Sequence, residues 1–418
     1  MPRTPVATAL ATILPSKTRV EAYDGSAAGD PDADVLIRVR SRRALAHLVS
    51  APGQLGLARA YVSGEMDIAA PNHYLALKTL SRVRMGDLSL PERLKVLRDL
   101  GPEAMTWVEP PPQEVGAKRY LAGLRAHTKQ RDAVAISHHY DVSNTFYEWV
   151  LGPSMAYTCA VFPRPDATLE EAQFHKFDLV CRKLGLQPGM RLLDVGCGWG
   201  GMAMHAAEHY GVEVLAVTLS RQQAEWGRKK AAERGLTDKV EIRHGDYRDV
   251  RESGFDAVSS IGLTEHIGIR NIPAYARFLA GKLLPHGRLL NHCITRPDDH
   301  SKPIAKRGFI ARYVFPDGEL PGVGKIVRDL QAAGLEVRHE ENLREHYAMT
   351  LRDWCDNLDA HWDEAVEEVG PGTARVWALY LAGSRLGFER NEIQLHQVLG
   401  VKTVDGEHGM PLRPDWGV

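Results

Sequence analysis

The chain of 418 residues is long enough for two or three domains, each with its own core, and its 52 Lys and Arg against 53 Asp and Glu leave a formal net charge of -1. That balance excludes a global electrostatic attraction to nucleic acid or to an anionic membrane, so any such attraction must be local. Five widely spaced cysteines (Cys159, Cys181, Cys197, Cys293, Cys355) offer no short pair for zinc or a redox dithiol, which predicts a reduced cytoplasmic setting and no metal site.

The opening MPRTPVATALATILP is a poor signal peptide, and its apolar run is too short to span a bilayer. Over residues 1–108, VLIRVR (35–40) reads as a strand and RALAHLV and HYLALKTLSRVR as helices, predicting a small α+β amino-terminal domain. EPPPQEVG (109–116) then breaks the pattern, because consecutive prolines favour an extended spacer. Residues 109–136 read as a linker followed by a basic amphipathic helix carrying Lys118, Arg119, Arg125, Lys129 and Arg131 among Tyr120, Leu121 and Leu124. Such a helix suits either a membrane surface or a solvated face, and the solvated face is the more ordinary reading.

The third segment, 137–418, turns into a regular alternation. MRLLDVG (190–196), VEVLAVTL (212–219), KVEIRHGD (239–246), FDAVSSIG (255–262) and GRLLNHCIT (287–295) are apolar strand patterns separated by helical or loop spacers such as RQQAEWGRKKAAERG. Five such units imply an α/β domain with a parallel, doubly wound sheet. In that architecture ligands bind outside the carboxyl ends of the strands.

The first of these strand ends is LLDVGCGWGG (192–201), where Gly196, Gly198 and Gly200 allow a tight turn and a close backbone approach. Asp194 stands two residues before the first glycine, an order that resembles motif I of the S-adenosylmethionine (SAM)-dependent methyltransferases. A dinucleotide fold normally carries an acid at the end of its second strand. Here that place holds Thr218, Leu219 and Ser220, with Gln223 a turn later, so neutral groups must meet the ribose. Asp246 and Tyr247 end the third strand and are placed for the adenine edge and face.

Five separated strings occur in one order: SHHYDVSNTFYEWVLGPSMAYTCAVF (137–162), LLDVGCGWGG, AVTLSRQQ, IGLTEHIG, and LLNHCI with RYVFPDGELP. Together they resemble the cyclopropane fatty acid synthases, from about residue 137 to the end. LGLARAYVSGEMDI (55–68) is similar, more weakly, to the small amino-terminal domain of the members that act on phospholipid. The resemblance implies a Rossmann-like class I methyltransferase sheet with a helical cover over the active site, SAM as co-substrate and a bound bicarbonate as base. It implies that Cys159 and Ile294 (through their backbones), Glu265, His292 and Tyr313 hold that ion. It also brings Tyr140 and Tyr157 to the cofactor, beside Asp194, Gly196, Gly198, Thr218, Leu219, Gln223, Asp246 and Tyr247.

The implied substrate is an unsaturated phospholipid at the inner membrane face, and family members are often homodimers, though no interface is legible. Taken singly, several of these residues have plainer readings. Cys159 is a small buried hydrophobe whose thiol is inert, His292 a satisfied core histidine and Tyr313 a packing aromatic. His266 is either a support or a packing residue, and Phe146, Tyr157 and Phe315 either line an acyl tunnel or fill the core. Relatives that make a methylene branch, and a cofactor- or lipid-binding protein without turnover, are the alternatives to ring closure. EHIG and His292 favour the ring.

Overall fold

In a computed structural model, residues 4–51, 53–81, 98, 101, 105–114, 143–300, 304–305 and 308–417 are described. Val35, Ile37 and Val39 alternate with less buried neighbours along one strand, the period that turns one face of a sheet inward. That strand, β3 (Val35–Val39), belongs with β1 (Thr18–Ala22), β2 (Ala27–Gly29) and β4 (Met66–Ala69) to a sheet of order β2-β1-β3-β4. β1 runs parallel to β3, and the other pairings are antiparallel. The expected helices follow. Ser41 caps Arg42–Ser50 by accepting from the Arg43 N–H, and Asn72 caps His73–Leu80 by accepting from Leu75.

The contacts divide the chain into two units, and the division is not a single cut. The first unit comprises Met1–Ala122, Ala305–Pro316 and Trp354–Leu386; the second comprises Gly123–Ile304, Asp317–Asp353 and Gly387–Val418. Two pieces of the expected 137–418 domain therefore pack with the amino-terminal sheet. The reason is visible at Arg375, which donates to the Tyr61 carbonyl and to the Asp67 carboxylate, and at Phe315, whose ring meets Tyr380 edge-on.

The second unit carries β5 (Arg191–Val195), β6 (Glu213–Thr218), β7 (Val240–His244), β8 (Phe255–Ile261), β9 (Leu283–Thr295), β10 (Glu336–Asn342) and β11 (Gln394–Val401). Their order is β10-β11-β9-β8-β5-β6-β7. The five expected strands are mutually parallel, and β11 enters antiparallel between β9 and β10, an addition the strand–helix alternation did not announce. Successive residues point to opposite faces, so Leu192, Val214, Ala257 and Leu290 enter one core while Leu193, Leu215, Val258 and Leu289 enter the other. Burial on both faces explains why these strands are unbroken apolar runs. Sequence order reverses at β5, whose neighbours are β6 and β8, and that reversal opens a crevice at its carboxyl end. Among the described residues no helix is long and apolar enough to cross a membrane.

Candidate active site

The turn after β5 passes through Gly196, Gly198 and Gly200 at φ of +78°, +55° and +83° before the helix Gly201–Tyr210 begins. Side-chain-bearing residues rarely adopt these angles, which is why glycine recurs there. The N–H groups of Gly196 and Cys197 both donate to the Val217 carbonyl and hold the turn against β6. Over it lies a cavity of about 890 Å³ including its open mouth, lined by Tyr157, Asp194, Gly196, Gly198, Thr218, Leu219, Gln223 and Tyr247. Gly262, Leu263, His266 and Lys176 complete much of the wall.

Asp194 stands opposite Ser259 in the β5–β8 register and accepts its hydroxyl at 2.6 Å; its Oδ2 is buried with no partner among the described residues. Burial raises its pKa to about 6. Thr218 donates to the Gln223 side chain at 2.7 Å, so the neutral pair expected at the ribose is already joined. Asp246 does not line the cavity. Its carboxylate takes the Arg248 backbone N–H and guanidinium at 2.6–2.9 Å and caps the turn Tyr247–Asp249. Tyr247 does line the cavity, with its ring edge-on to Tyr275 and Phe278.

Behind this cavity β8 ends in the short helix Thr264–Ile267, tied down by the Thr264 hydroxyl on Asn291 of β9. Glu265 is 8% exposed, and its Oε1 accepts the Ile294 N–H at 2.7 Å. The Ile294 N–H therefore holds the carboxylate, where the resemblance implied that the Ile294 backbone meets the ion. Glu265 Oε2 is buried with no partner among the described residues, and burial pushes the pKa up to about 7. Two residues back on the same face of β9 lies His292, fully buried, with Nε2 equally unpartnered and its pKa driven well below the usual value, chiefly by burial. The His292 carbonyl accepts the N–H of Gly262, a residue of the cavity wall, so the two regions adjoin.

Glu265 and Ile294 are thus joined directly, and His292 lies two residues before Ile294 on the same strand. Cys159 is fully buried, its thiol directed at the Ala160 carbonyl at 3.1 Å and its pKa raised by burial, as expected of an inert thiol. Tyr313 belongs to the first unit, where its hydroxyl donates to Glu114 at 3.3 Å. Phe315 is in that unit too. Phe146 is a core residue packed on Tyr147, and Tyr140 and the basic stretch 118–131 lie outside the described residues.

The sequence reading missed two fully buried lysines, both on the helix Leu169–Leu184. Lys176 lines the cavity and donates to Thr158 Oγ1 at 3.0 Å, with its pKa lowered to about 7 by burial. Lys183 donates to Gln397 at 2.7 Å and pairs with Glu341. A signal existed: both lysines fall in the apolar stripe formed with Ala172, Val180 and Leu184, where a cation is costly unless it is used.

The family model described as mycolic acid cyclopropane synthetase matches residues 127–398. The chain belongs to that family. A probable fatty acid methyltransferase of Mycobacterium tuberculosis is 57% identical over 401 residues, covering 94% of this chain and 93% of that one. The cyclopropane-fatty-acyl-phospholipid synthase of Escherichia coli K12 is 34% identical over 290 residues, 68% of this chain and 73% of that one. A mycolic acid cyclopropane synthase solved with SAH and CTAB superposes with a TM-score of 0.61 at 33% identity, covering 65% of this chain and 98% of that one. This member of the cyclopropane synthetase family is a SAM-dependent methyltransferase with the class I sheet. The glycine turn fits that co-substrate: nothing lies within 4 Å of a Cβ built on Gly198, and the open space faces the cavity the turn lines.

Proposed function

We propose that the enzyme transfers the methyl carbon of SAM to the cis double bond of an unsaturated phospholipid acyl chain and closes a cyclopropane ring, with bicarbonate held at Glu265 and His292. When bound, SAM supplies a methyl electrophilic enough for an unactivated alkene, and bicarbonate supplies a base for the methyl proton whose loss closes the ring. The observation that carries this reading is that Glu265 Oε2, just past the end of β8, and His292 Nε2, near the end of the adjoining β9, are both buried without a partner among the described residues. One is an acceptor when ionised and the other lies on an imidazole held neutral, a set that suits a small ion owning both an O–H and acceptor oxygens. Glu265 accepts the O–H and His292 donates to a second oxygen, while Ile294 keeps the carboxylate aimed. Burial keeps water from competing for either atom.

The phospholipid is supported by the α+β amino-terminal sheet and by the likeness to the Escherichia coli enzyme. Methylation to a methylene or methyl branch is the second reading, favoured by the names of the relatives from Mycobacterium tuberculosis and Pseudomonas putida, both probable fatty acid methyltransferases. Purified protein given SAM and unsaturated phospholipid vesicles, with and without bicarbonate, tests both. A bicarbonate-dependent cyclopropane product on gas chromatography with mass spectrometry is expected; a branched product transfers the conclusion to the second reading. Docking through Lys118, Arg119, Arg125, Lys129 and Arg131 belongs to the same proposal, and neutralising the five should weaken liposome flotation.

A further inference from the structure

His292 of β9 stands directly opposite Gln397 of β11. We infer that Lys183 and Gln397 are positioning residues that fix His292 as the neutral tautomer protonated at Nε2, so that it meets the reaction as a hydrogen-bond donor only. The inference follows from which atoms donate. An ammonium has donors and no acceptor, so the Lys183 Nζ at 2.7 Å requires the oxygen of the Gln397 amide on its side. The amide nitrogen must then face His292, and it lies 3.2 Å from Nδ1. That nitrogen carries hydrogens, so Nδ1 accepts and the single imidazole proton resides on Nε2.

Each neighbour of the relay is itself constrained. Glu341 pairs with Lys183 and favours its ammonium form against burial, which lowers the Lys183 pKa, and Glu341's own pKa is pulled to about 2, against its burial, by the neighbouring His339 and by the charge of Lys183. Gln397, Lys183 and His292 are fully buried, so water does not scramble the amide. A second imidazole proton is opposed by burial and by the charges of Lys176 and Lys183. The consequence for the reaction rests on the bicarbonate reading: a histidine protonated at Nε2 cannot take a proton there, so the base has to come from elsewhere.

The test is two-bond ¹H–¹⁵N correlation spectroscopy on full-length protein labelled with ¹⁵N-histidine, the His292 resonances being assigned by loss in His292→Gln. A bare Nδ1 and a protonated Nε2 are expected in the wild type. Gln397→Glu places an acceptor against Nδ1 and should move the proton there, raising the KM for bicarbonate about tenfold with the KM for SAM unchanged. Should that variant not fold, Lys183→Met frees the amide to turn over and should yield a mixture of the two tautomers. Protonation of Nδ1 in the wild type, or the wild-type pattern in the variants that fold, overturns the inference. The expected tautomer in an enzyme indifferent to bicarbonate supports the relay and sinks the bicarbonate reading instead.

Discussion

At the glycine turn, polar side chains facing the cavity find partners within the protein: Thr218 with Gln223, Lys176 with Thr158, and one oxygen of Asp194 with Ser259. At the β8–β9 end, Glu265 and His292 each leave an atom buried and unpaired among the described residues. The first region is shaped chiefly by its backbone, and Asp194 Oδ2 is left open there beside the cavity. The second has two atoms whose desolvation costs about 1–3 kcal/mol each when unmet, a cost that persists where a ligand completes the network. Backbone shape dominates the first region and open side-chain atoms the second, a division that suits a large co-substrate at one and a small ion at the other.

The contrast breaks most visibly under Glu265→Gln or His292→Gln. Either should lower product formation by roughly 100-fold or more while SAM affinity by calorimetry stays within about twofold, because the lost group acts on the reaction and not on the co-substrate. Comparable losses of both would mean that the two regions are one site.

Stability gives the next largest effect, with a definite sign. Burial raises the Glu265 pKa from 4.5 to about 7. Between those values the folded state binds the proton more tightly than the unfolded chain, so stability falls as pH rises through the window. Above about pH 7 Glu265→Gln should therefore be more stable than wild type in urea, by roughly 3 kcal/mol at most, and the gap should close as pH falls toward 4.5. A gap independent of pH would show that the carboxyl does not titrate there.

Gly196→Ala sharpens the other side. A Cβ there would come within 3.0 Å of the Leu263 side chain, at a φ of +78° that alanine resists. We expect a loss of roughly 1–3 kcal/mol in stability with weaker SAM binding. The smallest effect belongs to Cys159→Ala, which removes a buried thiol and should leave turnover within about twofold while costing about 1 kcal/mol in a thermal melt.

How much of this was legible depends on whether a residue acts through its own conformation or through a partner. Gly196, Gly198 and the apolar strands were readable because a left-handed turn and two-faced burial impose residue types locally. Glu265 and His292 were readable through motif likeness, and their strand-end placement agreed. The pairing of the Asp246 carboxylate with Arg248, two residues on, was not legible in the strand pattern. Lys183 and Gln397 drew no notice, although the lysine's place in an apolar stripe was a signal. The association of 354–386 with the amino-terminal sheet involves Arg375, a residue with no motif around it.

By itself the sequence determined the doubly wound sheet, the glycine turn and the chemical types available at each strand end, since these follow from periodicity, backbone freedom and side-chain chemistry along a few contiguous residues. Only the tertiary structure decided which atoms are paired and which remain open. Entry of β11 beside β9 brings Gln397 to His292 across 105 positions and Lys183 to Gln397 across 214. Where the proton of His292 resides is settled by that three-residue alignment, because a neutral imidazole takes its tautomer from the partner that faces it.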